Sequence, residues 1–239
     1  VSRFVGREAE LERLGARLAE GRLVTIWGTA GIGKTRLALE YGARSLAEDK
    51  CAVFHCQLAD ARGCVGPCTG VGRTVDLSLP AGGGGADLVT SIGEWLSRSG
   101  PTLLILDDFE HLATIAAETL VPWLQAAPAV SFLVTSRERL RVAAETVTEL
   151  GPLRLDADPG AEPEAVALFV DRARALGCDV PPENEPLVVE LVTALEGIPL
   201  AIELAAGRMD TLGIEGMLAP MRQSWGRSSG PASHPPIDV

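Results

Sequence analysis

No run of about 18 apolar residues occurs in the chain, which excludes a hydrophobic membrane-spanning helix. The N-terminus also lacks the pattern of a secretory signal. Together these absences lead to the expectation of a soluble, cytoplasmic protein with no membrane partner. Positive charge is scarce as well: 21 Lys and Arg stand against 32 Asp and Glu, for a net charge of −11. That balance argues against a segment that grips nucleic acid by its phosphates, and favours a basic partner or a basic neighbouring domain. The five cysteines, Cys51, Cys56, Cys64, Cys68 and Cys178, form no paired C-x-x-C spacing, so free thiols are the plain reading. The alternative is a zinc site from His55, Cys56, Cys64 and Cys68, in which Cys64 and Cys68 stand on a glycine-rich loop without a second matching pair. Because the chain opens on Val1 rather than methionine, the expectation is a segment cut from something longer.

What is present centres on Gly28-Thr29-Ala30-Gly31-Ile32-Gly33-Lys34-Thr35, which fits the phosphate-loop pattern G-x-x-x-x-G-K-[ST] at every specified position. The apolar run Leu23 to Trp27 before it suits a buried parallel strand, and Arg36 to Tyr41 after it suits a helix. Glycines let successive backbone N–H groups point into one concavity, to which the helix adds its positive end. Lys34 is placed for β and γ phosphates and Thr35 for a magnesium ion. The competing reading is a glycine-rich turn with a chance lysine. With 46% hydrophobic residues, the chain can bury a sizeable core in one larger and one smaller unit.

Along the chain, Leu11, Leu14 and Leu18 recur at helical spacing behind Phe4-Val5-Gly6-Arg7-Glu8, and Ala52 to Leu58 reads as a second strand. Gly82 to Gly85 reads as a surface loop, followed by a helix with Leu88, Ile92, Trp95 and Leu96 on one face. The strand Thr102 to Leu106 ends in Asp107-Asp108, where ligands bind in open α/β sheets. Asp107 is the candidate magnesium-organising carboxylate and Asp108 the candidate base or water-positioning group; the alternative is that either acid caps the next segment. Ser131 to Val134 runs into Thr135-Ser136-Arg137, and Arg137 either reaches a γ phosphate or is solvated. Thr146 to Leu150 suits a short fifth strand. Pro152 to Pro163 reads as a hinge, beyond which apolar faces recur at helical spacing: Val166, Phe169, Val170 and Ala173, then Leu187, Leu191 and Leu195. Pro199 suits the first turn of a third helix, Leu200 to Arg208, and the tail from Gly226 reads as a linker.

Together these motifs resemble the STAND class of P-loop ATPases, in the AP-ATPase or NB-ARC-like branch, as found in bacterial multidomain transcriptional regulators. The resemblance covers about residues 3 to 222. Phe4 to Glu8 looks like the family's lead-in, Leu103 to Asp108 like its Walker B strand, Thr135-Ser136-Arg137 like its sensor strand, and Gly197-Ile198-Pro199-Leu200-Ala201 like its G-[LI]-P-L-A motif. It implies an α/β fold: a five-stranded parallel sheet flanked by helices, with the sensor strand between the phosphate-loop and Walker B strands, then a small helical lid. It further implies ATP, ADP and Mg2+ as ligands. The candidate nucleotide contacts are Val5, Arg7, Gly28, Thr29, Ala30, Gly31, Ile32, Gly33, Lys34, Thr35, Arg36 and Pro199, with Arg7 and Pro199 on the base. The candidate catalytic group is Lys34, Asp107, Asp108 and Arg137, and the metal pair is Thr35 and Asp107.

The expected organisation is a nucleotide-binding domain over residues 1–151, a hinge over 152–163, a helical lid over 164–225 and a flexible tail over 226–239, with the family's winged-helix element beyond Trp225. The expected function is a slowly hydrolysing ATP/ADP switch, covalently attached to sensor or effector domains and forming a nucleotide-dependent homo-oligomer. The alternative is a nucleotide-stabilised scaffold without turnover. An N-K-x-D guanine motif and an L-S-G-G-Q transporter signature are both missing, which disfavours a GTPase and a transporter subunit.

Overall fold

The computed structural model describes residues 2–80, 83–157 and 161–228, with side chains described as far as Gln223. Two compact units emerge: Arg7–Gly151, and the described parts of Val1–Gly6 together with Pro152–Val239.

The first unit is a sheet flanked by helices. Its elements are α1 (Glu8–Glu20), β1 (Leu23–Trp27), α2 (Lys34–Ala47), β2 (Ala52–Gln57), α3 (Val65–Thr74), α4 (Gly85–Arg98), β3 (Thr102–Asp107), α5 (Ala116–Ala126), β4 (Val130–Ser136) and β5 (Glu145–Glu149). The strand order is β2-β3-β4-β1-β5, with every neighbouring pair parallel. This is the expected five-stranded sheet, with β4 between β1 and β3. The central strands carry runs such as Leu103-Leu104-Ile105-Leu106, buried throughout, because a parallel sheet covered on both faces has no solvent side for polar alternation. The register pairs Trp27 with Ser136 and Leu106 with Val134, so the carboxyl ends of β1, β3 and β4 lie side by side. One large cluster of apolar side chains fills one face. Within it Trp123 stacks on Phe132 at 6.4 Å and donates its indole N–H to the Val89 carbonyl at 2.9 Å.

Two segments differ from what their sequence suggests. The glycine-rich loop expected to carry Cys64 and Cys68 is largely the helix α3, whose Cys68 and Val71 are buried. Its glycines are packing positions: a Cβ on Gly70 would meet Leu58 Cδ2 at 2.7 Å and Cys56 Sγ at 3.0 Å. Of the glycine run, Gly85 opens α4 instead of lying in a loop, because the Asp87 carboxylate accepts the Gly84 N–H at 3.1 Å and complements the helix dipole. Gly82 lies outside the described residues.

The second unit is helical: α6 (Glu164–Ala175), α7 (Glu185–Ala194), α8 (Pro199–Ala206) and α9 (Met209–Ser228), the last broken at Gly213, where φ is 62° and ψ 171°. Val166, Phe169 and Ala173 of α6 pack with Val188, Leu191 and Val192 of α7 and Ile202 of α8. Val5 packs against the same cluster and the Arg3 carbonyl accepts from Arg172 at 3.0 Å. The lead-in therefore divides, residues up to Gly6 going with the helices and Arg7 with the sheet. Residues 226–228, expected in the tail, continue α9, and 229–239 lie outside the described residues. In the 152–163 stretch, 158–160 lie outside them too, and the rest forms no helix or strand. No helix among the described residues is long and apolar enough to cross a membrane.

Candidate functional site

The phosphate loop bridges β1 and α2 as its sequence requires. Gly28 has no room for a side chain, since a Cβ there would stand 2.7 Å from the Leu150 carbonyl oxygen. Gly31 and Gly33 take positive φ values of 73° and 97°, a region costly for other residues. No side chain caps α2, and no acid occupies its first turn, so its leading N–H groups and dipole are left to face an anion.

Lys34 opens that helix, 9% exposed. Its Nζ donates to the carbonyls of Gly28 at 3.0 Å and Thr29 at 2.9 Å. Burial pulls its pKa below the ordinary value, with the Arg137 charge acting in the same direction and Glu110, Asp108 and Asp107 opposing. The next residue, Thr35, donates its hydroxyl to Asp107 Oδ1 at 2.7 Å.

Asp107 ends β3 and is 2% exposed. The same Oδ1 accepts from Thr135 Oγ1 at 2.5 Å, and Oδ2 lies 3.7 Å from His55 Nε2. Two hydroxyls on one carboxylate oxygen leave the group oriented, and an all-oxygen donor pair from Thr35 and Asp107 fits a hard divalent cation such as Mg2+. Asp108 follows in a left-handed conformation, φ 60°, with its N–H donating to Thr135 Oγ1 at 3.0 Å. Burial raises its carboxyl pKa, helped by the negative charges of Asp107 and Glu110.

Arg137 lies just beyond β4. Its Nε donates to Glu110 Oε1 at 2.7 Å, its carbonyl accepts the Trp27 indole N–H at 2.9 Å, and its side chain is 58% exposed. Thus Lys34, Thr35, Asp107, Asp108 and Arg137 gather at the carboxyl ends of three adjacent strands. Arg7 serves the loop from outside: it is 4% exposed and donates to the carbonyls of Ile32 at 3.3 Å and Gly151 at 2.7 Å and to Glu10 at 3.2 Å. Thr29 and Ala30 are exposed at the loop tip, Ile32 is buried, and Arg36 stands half-buried in the first turn of α2. Val5 and Pro199 belong to the helical unit, where Pro199 is the first residue of α8.

Two polar residues are not among the candidate site residues, although Thr135 is read from the sequence as part of the Thr135-Ser136-Arg137 strand end. Thr135 becomes visible only once β4 is known to pair with β3, which brings it beside Asp107. Glu110 leaves only a faint signal, an acid three residues after Asp107 in the turn that follows β3. The zinc reading finds no support in this geometry. Cys68 is buried with its thiol pushed up to about 12 by desolvation, His55 faces Asp107, and no cluster of three or more His, Cys, Asp or Glu suited to a metal occurs among the described residues.

Residues 17–142 match the model of the AAA domain family. An uncharacterized protein of Mycobacterium tuberculosis is 35% identical over 233 residues, covering 97% of this chain and 57% of that protein. A second protein of the same organism, named as a candidate HTH-type transcriptional regulator, is 34% identical over 200 residues, covering 82% of this chain and 21% of its own length. The chain thus spans little more than half of the first relative and about a fifth of the second. Among solved structures, a STAND protein with a tetratricopeptide repeat sensor from Pyrococcus horikoshii superposes with a TM-score of 0.56 at 21% identity, covering 94% of this chain and 33% of that one. At that identity the likeness is one of fold.

Proposed function

The chain belongs to the AAA domain family of P-loop ATPases, and from that premise we propose that it is the nucleotide switch of a larger regulator, a STAND-class module that binds ATP or ADP with Mg2+ and hydrolyses ATP slowly. The observation that carries this reading is the continuous arrangement of the uncapped α2 N-terminus, Lys34, and the Thr35–Asp107–Thr135 hydrogen-bonded group on adjacent strand ends. On this reading the loop N–H groups from Gly28 to Thr35 and the Lys34 ammonium hold the phosphates, while Thr35 and Asp107 hold Mg2+. The ion would supply charge neutralisation of the phosphate oxygens.

Asp108 orients a water molecule toward the γ phosphorus. The water oxygen forms the new P–O bond as the bond to the β–γ bridging oxygen breaks, giving ADP and inorganic phosphate, and the water's proton passes to Asp108. Its raised pKa suits a proton acceptor better than an ordinary surface carboxylate would. Arg137 offsets charge developing on the transferred group.

Arg7 and Arg36 complete the proposed nucleotide set on the sheet unit, with Arg7 on the base side. Residues 152–163 act as the hinge, in a cytoplasmic protein whose attached domains carry input and output. The relative named for an HTH-type regulator supports a role in transcriptional control, with any DNA contact made by other domains and with nucleotide-dependent self-association. Titration calorimetry with ATP and ADP in Mg2+ tests the reading. Saturable binding by the wild type, weakened about 10- to 100-fold in Lys34→Ala through loss of a charge-assisted hydrogen bond, is expected; equal binding by both proteins contradicts it.

A further inference from the structure

Two cations of the site, Lys34 and Arg137, face one internal anion. Glu110 takes the Arg137 Nε at 2.7 Å, and among the negative charges acting on the Lys34 ammonium it is the strongest. The members of the Glu110–Arg137 pair differ in exposure: the Glu110 side chain is 16% exposed and set in the short turn Glu110–Ile115, while that of Arg137 is 58% exposed on a long stem. Among the described residues Arg137 makes this contact through Nε alone, leaving its terminal amino groups for another acceptor. The remaining oxygen of Glu110, Oε2, is buried without a hydrogen-bond partner among the described residues. The acid is therefore bound to this position by the fold rather than by a full set of partners, and the arginine is the member free to turn.

We infer that Glu110 is a built-in competitor of the nucleotide's terminal phosphate for Arg137, so that exchange of Arg137 from carboxylate to phosphate sets the preference of this site for a triphosphate over a diphosphate. The inference rests on the proposed nucleotide-binding reading. It makes Glu110 a positioning residue, acting through Arg137 and not on the phosphate itself. The exchange also explains why a half-buried acid stands beside a site built for anions. It opposes binding unless the ligand offers Arg137 a replacement charge. Only a γ phosphate reaching the β4 end does so.

The test uses the full chain and measures affinities for a non-hydrolysable ATP analogue and for ADP, both with Mg2+, in Glu110→Gln, Arg137→Gln and the double variant. Glu110→Gln keeps a hydrogen-bond acceptor and removes the charge. A half-exposed ion pair is worth no more than about 1 kcal/mol, or roughly a fivefold change in an equilibrium. The analogue should therefore bind about three- to fivefold more tightly to Glu110→Gln, ADP should change less than about twofold, and the gain should vanish in the Arg137→Gln background. Equal tightening for both nucleotides, or a gain that persists without Arg137, overturns the inference and leaves only a general field effect. Unchanged affinities with abolished turnover also overturn it, in favour of Glu110 as the group that orients water. Should Glu110→Gln not fold, Glu110→Asp withdraws the carboxylate by one methylene and should give the same selective gain. A wild-type chain that binds neither nucleotide overturns the functional reading and this inference with it, an outcome distinct from failure of the exchange alone.

Discussion

Thr135 donates its hydroxyl proton to Asp107 at 2.5 Å and accepts the Asp108 amide at 3.0 Å, so one side chain of β4 fixes both acids at the end of β3. Thr135→Val preserves shape and removes both bonds, leaving Asp107 and the partly buried Asp108 N–H each short of a partner. The expected loss is about 1 to 3 kcal/mol of stability together with weakened Mg2+-dependent nucleotide binding, read from thermal unfolding and from ATP titrations with and without Mg2+. Thr135→Ser should retain most of both.

Asp108 separates an enzyme from a scaffold. Its left-handed backbone, φ 60°, is tolerated by asparagine as readily as by aspartate, so Asp108→Asn changes the chemistry with little change in fold. Turnover should fall at least about 10²-fold, the ordinary scale for losing a general base, while ATP affinity stays within a few-fold. Undiminished phosphate release would remove Asp108 from the mechanism.

Gly28→Ala tests the fit of the loop against its neighbour. The added Cβ would stand 2.7 Å from the Leu150 carbonyl oxygen and 3.1 Å from Ile32 Cγ2, and the clash with backbone cannot be relieved by a rotamer. Overpacking of this kind costs about 1 to 3 kcal/mol, and chemical denaturation should show it alongside reduced nucleotide affinity.

Much of this architecture is legible in the residues themselves. The phosphate-loop pattern, the apolar runs and the acids closing Thr102–Asp107 suffice for a parallel sheet with its ligands at the strand ends, because burial on both faces leaves those runs no other placement. What they do not carry is proximity between distant strands. Thr135 stands next to Asp107 only through the β3–β4 register, and Glu110 meets Arg137 only because the turn after β3 folds back. Helix α3 is missed for a different reason. Gly66, Gly70 and Gly72 lower helix propensity locally, and tertiary contact of Gly70 with Leu58 and Cys56 overrides it. The division of the lead-in at Gly6 is likewise a packing outcome, since Val5 finds its apolar partners among the helices of the second unit.

Thiol chemistry offers a check on the packing of α3. Cys68 is fully buried and its thiol is pushed up to about 12 by desolvation, so at pH 8 its thiolate is scarce, and only the thiolate is nucleophilic. Iodoacetamide should leave Cys68 unmodified in the native protein and label it in denaturant, as peptide mass spectrometry would read. Rapid native labelling of Cys68 would contradict the burial.

The central claim, that this chain is a nucleotide switch with slow turnover, is tested most directly by following phosphate release from magnesium-ATP by the purified protein, after identifying by chromatography any nucleotide freed when a sample is denatured. The account predicts ADP or ATP in the released fraction and slow, Mg2+-dependent phosphate release that Lys34→Ala abolishes. A protein that carries no nucleotide, binds none when it is added and releases no phosphate above the Lys34→Ala background would contradict it.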